Sequence, residues 1–240
     1  KKQEKKQVEH PINKRVDGII MSLSNESNND FHIKEILRKE IPFVQFDKIS
    51  KLIPSSKVII NDQKAAMEAV QHLIDKGCEK IAHIRGPENP QNAIDRFIGY
   101  KKALEKNGIP YDSKLVYSCK NVTFEEGIEF AKQIVDEHPD VDGIFVITDL
   151  VAVGVLAYFN EKGIQVPNQI AVIGFSNWFM SQVITPKLST VDQPSYEMGV
   201  AAFSLLLEEM ICRKDGKVFI PRTIELETSI IERDSSLKKN

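Results

Sequence analysis

Two polar dipeptides, each at the end of an apolar run, are the residues of this sequence best suited to bind a small molecule. Thr148-Asp149 follows the run at residues 143–147, and Ser176-Asn177 follows the run at residues 170–175. Hydroxyl, carboxylate and amide groups form directional hydrogen bonds with polar ligands. The two dipeptides therefore predict two walls of a binding pocket.

The segment between the two dipeptides predicts the elements that position them. Its apolar residues recur at helical spacing over residues 151–162, and Gly163 follows the last of them. A strand, a helix and a second strand with short connections form a βαβ unit, which has parallel strands and a right-handed crossover. Ligands of open α/β sheets bind at the carboxyl ends of the strands, where both dipeptides lie.

The same alternation extends through most of the chain. We predict strands at residues 16–21, 42–46, 57–60, 80–84, 115–118, 141–147 and 170–175, with helices between most of them. About seven strands in alternation with helices are typical of a parallel α/β architecture. Thr123 and Glu126 predict a capping box for the helix that follows them, and residues 1–14 predict a further helix.

Composition excludes several classes of protein. The chain has 240 residues and a net charge of -2, which argues against a broad basic face for nucleic acid. No apolar run approaches the length of a membrane span, and no signal peptide is recognisable at the start. The three cysteines Cys78, Cys119 and Cys212 are far apart and odd in number, so we expect free thiols and a cytoplasmic location.

The sequence carries no pattern of an enzyme. It has no glycine-rich dinucleotide motif after a strand, no Walker loop, no GxSxG and no HExxH. The five histidines show no spacing of metal ligands. We therefore predict no catalytic residue, no cofactor and no metal site.

A helix predicted at residues 195–212 is apolar nearly all round. Such a helix is covered on two sides, one of which can be the sheet. A second copy of the chain is the simplest cover for the other side, so we predict a homodimer. The residues assigned to this interface are Met198, Ala202, Leu205 and Leu206.

Six segments in order along the chain resemble one family. They are RVDGIIMS, AVQHLIDKGCEKIAHIRGP, RFIGYKKALEKNGI, TDLVAVGVLAYFNEKGIQVPNQIAVIGF, PKLSTVDQPSYEMG and IIERDSS. Together they resemble the effector-binding core of the lactose-repressor/galactose-repressor (LacI/GalR) family of transcription regulators. The resemblance covers nearly the whole chain.

The resemblance implies an α/β fold of two Rossmann-like, parallel-sheet subdomains joined by three crossovers, like type I periplasmic binding proteins. One subdomain would hold residues 1–60 and 193–218, and the other residues 61–190 and 219–234, with hinges near Asn61, Val191 and Gly216. The family's helix-turn-helix headpiece has no counterpart here, nor do the first strand and helix of its core. DNA binding is therefore expected only through a headpiece outside this chain.

The resemblance also implies an effector site, in a cleft between the subdomains. The residues at the matching positions are Met21, Asp47, Arg96, Val122, Thr148, Asp149, Ser176, Asn177, Trp178 and Gln193, with Ala93 and Ser195 beside them. Arg96 would bind paired hydroxyls or a carboxylate of a sugar-like effector. Its replacement by alanine is expected to abolish binding and leave the fold intact.

Several assignments have an alternative. Ser176 stands where the family usually has the first of two aspartates. Its side chain is shorter and neutral, so this position departs from the effector chemistry of sugar-binding relatives. Asp149 could simply cap the following helix, and Trp178 could pack locally rather than stack on a sugar. A sugar-binding protein of a transporter is the alternative to a regulator, because both share the fold.

Overall fold

The structure, a computed structural model, describes residues 14, 16–24 and 31–237. The helix predicted for residues 1–14 lies, apart from Lys14, outside the described residues. The chain divides into two compact units. Unit 1 comprises the described residues up to Asn61, together with Asn89–Asn92 and Pro194–Glu227, and unit 2 comprises Asp62–Glu88, Ala93–Gln193 and the described residues from Thr228.

Strands and helices alternate along the chain, as the sequence predicts. In order they are β1 (Ile19–Met21), α1 (Phe31–Arg38), β2 (Phe43–Phe46), β3 (Ser56–Ile60), α2 (Asp62–Asp75), β4 (Ile81–Arg85), α3 (Gln91–Lys106), β5 (Val116–Ser118), α4 (Phe124–Glu137), β6 (Gly143–Val146), α5 (Asp149–Lys162), β7 (Ala171–Phe175), α6 (Met180–Val183), β8 (Ser189–Asp192), α7 (Ser195–Lys214), β9 (Thr223–Leu226) and β10 (Ser229–Ile231). Among the helices that the structure describes, none has the length and apolar character of a membrane span.

Unit 1 contains a four-stranded parallel sheet in the order β1-β2-β3-β9. A small core of Leu23, Ile33, Ile36, Phe43 and Ile53 packs on one part of it. Helix α7 also packs against the sheet, and its Glu209 accepts a hydrogen bond from the backbone N–H of Phe43 (3.2 Å). The predicted α/β class is confirmed here.

Unit 2 contains a six-stranded sheet in the order β10-β8-β7-β6-β4-β5, in which only β10 is antiparallel. Every residue of the inner strands β6 and β7 is buried, because helices cover both faces of a parallel sheet. Their carboxyl ends therefore point to the same edge of the sheet, as the βαβ prediction requires.

Helices α4 and α5 approach each other closely through two glycines. A Cβ atom on Gly127 would lie 2.1 Å from the carbonyl oxygen of Val151, and one on Gly154 would lie 2.1 Å from that of Phe124. Both distances are far below van der Waals contact. Helix α4 begins with the predicted capping box of Thr123 and Glu126, so both its start and its packing are specified locally.

The tail differs from the prediction. Residues 219–227 were assigned to the second subdomain, but β9 pairs in parallel with β3 and so belongs to unit 1. Only β10 joins the sheet of unit 2, where it pairs with β8. The last boundary between the units consequently follows Glu227, and the hinge predicted near Gly216 is wrong.

The interface residues predicted on α7 also need correction. Met198, Ala202, Leu205 and Leu206 are 1–7% exposed and lie in the interior of the same chain. The large apolar side chains that α7 leaves exposed are Tyr196, Val200, Phe203, Leu207 and Ile211, which we call the α7 stripe. This corrects the choice of residues; the homodimer itself stays a prediction.

Candidate functional site

The guanidinium of Arg96 joins the ends of β6 and β7. Arg96 lies on α3 with only 3% of its side chain exposed. Its Nη1 donates to the carbonyl oxygen of Ile147, directly after β6 (2.8 Å). Its Cζ atom lies 3.5 Å from the ring centroid of Phe175, the last residue of β7. The predicted site residue is thus held between the two strand ends that the dipeptides follow.

The charge of Arg96 is balanced inside unit 2. Its Nε donates to Oδ1 of Asp62, at the start of α2 (2.7 Å). The pair is largely buried, so removing Arg96 would leave the buried Asp62 carboxylate without its ion-pair partner. The expectation that Arg96→Ala leaves the fold intact is therefore revised: the variant should also destabilise unit 2.

Thr148 and Asp149 have different roles. The hydroxyl of Thr148 accepts the N–H of Val151 and caps α5, and the side chain is half-buried at the end of β6. Asp149 is 1% exposed and its two oxygens accept hydrogen bonds from the Thr190 hydroxyl and the Trp178 N–H, both 2.6 Å long. Asp149 is thus neither the cap nor a residue that a ligand can reach.

Burial raises the pKa of Asp149 to about 6, from 3.8. Hydrogen bonds from Thr190, Trp178 and Phe175 and the nearby charge of Arg233 favour the carboxylate and partly offset this effect. The carboxylate is therefore the main species at neutral pH, where its two oxygens accept these hydrogen bonds inside unit 2.

Ser176 and Asn177 form a tight turn in left-handed backbone conformations. Their φ angles are 110° and 50°, and residues other than glycine rarely adopt such values. The Asn177 side chain is used internally: it donates to Asp192 and accepts from Arg233, both at 2.7 Å. Within the described part of the chain, the Ser176 hydroxyl has no hydrogen-bond partner, and the side chain is half-buried.

Trp178 follows this turn and is 48% exposed. Its backbone N–H bonds to Asp149, while its ring makes no ring-stacking or cation–π contact with the described residues. Both predicted roles of the ring, stacking on a ligand and local packing, stay predictions.

The remaining predicted site residues also lie at strand ends. Val122 follows β5 with φ 59° and packs at the margin of the unit 2 core, and Gln193 follows β8. In unit 1, Met21 ends β1 and Asp47 follows β2 with φ 55°. Four of the five described non-glycine residues with positive φ are thus predicted site positions, and residues in this conformation often occur at functional sites.

Sequence reasoning missed the residues that support the site. They are Thr190, Gly174 and Asp62. Their positions in the sequence give no signal, because each acts on a residue that is distant along the chain. Among the described residues, no three His, Cys, Asp or Glu side chains come together in a way that could hold a metal ion.

Comparison with known proteins identifies the family. The model of the periplasmic binding protein-like domain matches residues 70–236. Catabolite control protein A of Priestia megaterium is 36% identical over 201 residues, which cover 83% of this chain and 59% of that protein. The chain thus spans less than two-thirds of that relative.

Solved structures of transcription regulators also resemble this chain. Transcription regulator CcpA of Lactococcus lactis has a TM-score of 0.88 and 28% identity, over 98% of this chain and 83% of that one. A LacI family transcriptional regulator from Enterococcus faecium with bound ribose has a TM-score of 0.85 and 26% identity, over 98% and 85%. The chain therefore belongs to the periplasmic binding protein-like domain family, and the relatives it resembles are LacI-type transcription regulators.

Proposed function

We propose that this chain is the effector-binding part of a cytoplasmic, LacI-type transcription regulator and that it binds a sugar or sugar derivative at the carboxyl ends of the unit 2 strands. The observation that carries the proposal is the guanidinium of Arg96 between the ends of β6 and β7, the two strands that Thr148-Asp149 and Ser176-Asn177 follow. The names of the relatives supply the regulatory role, and the ribose-bound relative suggests the ligand class.

The chemistry of these groups suits a neutral ligand with hydroxyl groups. A guanidinium has five N–H donors, and the bonds to Asp62 and Ile147 use two of them. We propose that the others donate to ligand oxygens at the small exposed part of this side chain, while the positive charge is already balanced by Asp62. The Ser176 hydroxyl can donate or accept. Met21, Asp47, Val122, Thr148, Trp178 and Gln193 remain proposed contacts.

The wider role belongs to the whole protein. A regulator of this kind would contact DNA through a headpiece outside this chain, and effector binding would change the population of its DNA-binding conformation. A transporter's sugar-binding protein has less support, since the relatives are named as regulators. For the same reason we propose that the ligand is bound and not transformed.

A ligand screen tests the proposal. Thermal unfolding would be followed in the presence of D-ribose, cellobiose, sugar phosphates, uronic acids and nucleobases. A ligand present at a hundred times its dissociation constant should add about 2.7 kcal/mol to the free energy of unfolding. Ser176→Ala should weaken binding of any hit, and Ser204→Ala, an exposed serine on α7, is the matched control. Binding that survives Ser176→Ala unchanged would remove this residue from the site.

Self-association is the second part of the proposal. The α7 stripe exposes five large apolar side chains on one helix, which supports a partner that covers them. In sedimentation experiments we expect a dimer at micromolar concentration that Phe203→Asp converts to a monomer. Leu52→Asp, at an 85% exposed site elsewhere in unit 1, is the control and should leave the dimer intact. A wild-type monomer would count against dimerisation through this chain.

A further inference from the structure

A buried carboxylate lies behind the turn that carries Ser176. We infer that Asp149 is a positioning residue for effector recognition: its carboxylate holds residues 176–178 in the conformation that leaves the Ser176 hydroxyl available to the ligand. The inference rests on the proposed function, because it requires that Ser176 contact the effector.

The carboxylate fixes two successive backbone N–H groups after Ser176. Oδ2 accepts the N–H of Trp178 directly (2.6 Å). Oδ1 accepts the hydroxyl of Thr190 (2.6 Å), and the same Thr190 oxygen accepts the N–H of Asn177 (3.2 Å). Since Ser176 has a φ of 110°, its backbone needs support from outside the turn, and these bonds supply it.

The space for the carboxylate is kept open by a glycine on β7. A Cβ atom on Gly174 would lie 2.3 Å from Oδ1 of Asp149, so any larger residue would displace the carboxylate. With 1% of its surface exposed, Asp149 has no room to touch a ligand itself. Any influence on the effector must therefore pass through the turn.

A second set of hydrogen bonds, from Arg233, holds the Asn177 side chain rather than the backbone of the turn. Arg233 donates to Oδ1 of Asn177 (2.7 Å), to the Ser181 hydroxyl (3.1 Å) and to the carbonyl oxygen of Leu188 (2.8 Å). Asn177 is thus anchored by its side chain and by its N–H. Ser176 is held on one side by its own N–H, which donates to the carbonyl oxygen of Val191 (2.9 Å), and on the other side by the bonds to the N–H groups of Asn177 and Trp178.

The test combines Trp178 fluorescence with ligand affinity. Trp178 is the only tryptophan and directly follows the turn, so acrylamide quenching of its emission reports on the conformation of residues 176–178. The variants are Asp149→Ala, the isosteric Thr190→Val, and Thr190→Ser, which retains the hydroxyl. Asp142→Ala is the matched control, because Asp142 also accepts two backbone N–H groups, from Glu79 and Lys80, ahead of β4.

Asp149→Ala and Thr190→Val should increase quenching and weaken binding of the probe D-ribose about tenfold, the effect of losing a hydrogen bond to a charged group. Thr190→Ser should behave as the wild type, and Asp142→Ala should lower stability without changing either readout. Unchanged quenching in Thr190→Val, even if Asp149→Ala fails to fold, would overturn the inference. Failure of the wild type to bind any sugar would instead refute the proposed function, while quenching still decides whether Asp149 holds the turn.

Discussion

Replacing Arg96 by methionine tests the buried ion pair most directly. Methionine keeps a long apolar side chain against the Phe175 ring but removes the charge and both hydrogen bonds, to Asp62 and to Ile147. Breaking one side of a buried pair costs about 3–5 kcal/mol, because the remaining charge is left uncompensated. Asp62 keeps its charge in a largely buried position, so we expect a loss of this size.

Urea unfolding followed by Trp178 fluorescence is the assay. Trp178 lies in unit 2 with the ion pair, so its signal reports the unit that is perturbed. With a slope of about 2–3 kcal/mol per molar urea, a loss of about 4 kcal/mol would lower the midpoint by roughly 1.5 M. Lys162→Met is the matched control, since Lys162 and its partner Glu161 form a solvent-exposed ion pair of unit 2, and we expect no measurable change.

A double variant separates charge from packing. Arg96→Met combined with Asp62→Asn removes both charges, so it should be clearly more stable than Arg96→Met alone. A midpoint within about 0.3 M of the wild type for the single variant, or no recovery in the double variant, would refute the reasoning, because a pair worth several kcal/mol cannot be lost at so little cost.

Three further predictions concern the core of unit 2. Gly154→Ala places a methyl group against the carbonyl of Phe124 and should lower the free energy of unfolding in urea by about 1–3 kcal/mol. Gly199→Ala, in open space on α7, is the control and should not lower it. Equal effects would contradict the close approach of α4 and α5. Thr123→Ala removes the capping box and should cost about 1 kcal/mol, measured the same way; no loss would mean that the cap adds nothing to stability. Burial lowers the pKa of His83 to about 3, so only the unfolded chain binds this proton as the pH falls from 6.5 toward 3, and the free energy of unfolding should drop over that range. His83→Phe should therefore make the urea midpoint less dependent on pH. Parallel pH profiles of the variant and the wild type would refute this prediction.

The sequence predicts the class of fold well because parallel strands that are buried on both faces give continuous apolar runs. Residues 143–147 and 170–175 are such runs, and the structure places β6 and β7 within them. The assignment of β9 failed for a physical reason. Its alternation of exposed and half-buried residues fits an edge of either sheet, and the choice of partner depends on β3, far away in the sequence.

The sequence predicts which candidate site residues follow strand ends, but not the contacts that these residues make. The strand ends locate Thr148 and Ser176, and the resemblance adds Arg96. No local pattern shows that Asp149 is buried, since that depends on Thr190 and Gly174. Helix α7 poses the same problem: it is apolar on every side, so the sequence could not decide which face lies inside the chain.

The pairing of the last two strands bears on how the protein folds during synthesis. Strand β9 completes the sheet of unit 1 and strand β10 completes that of unit 2, and both lie between residues 223 and 231. While the ribosome is still translating the earlier residues, β3 and β8 each have an edge without its partner. Neither sheet is complete until residues 223–231 have left the exit tunnel, so a nascent chain stalled before residue 223 would expose the edges of β3 and β8 to chaperones and proteases.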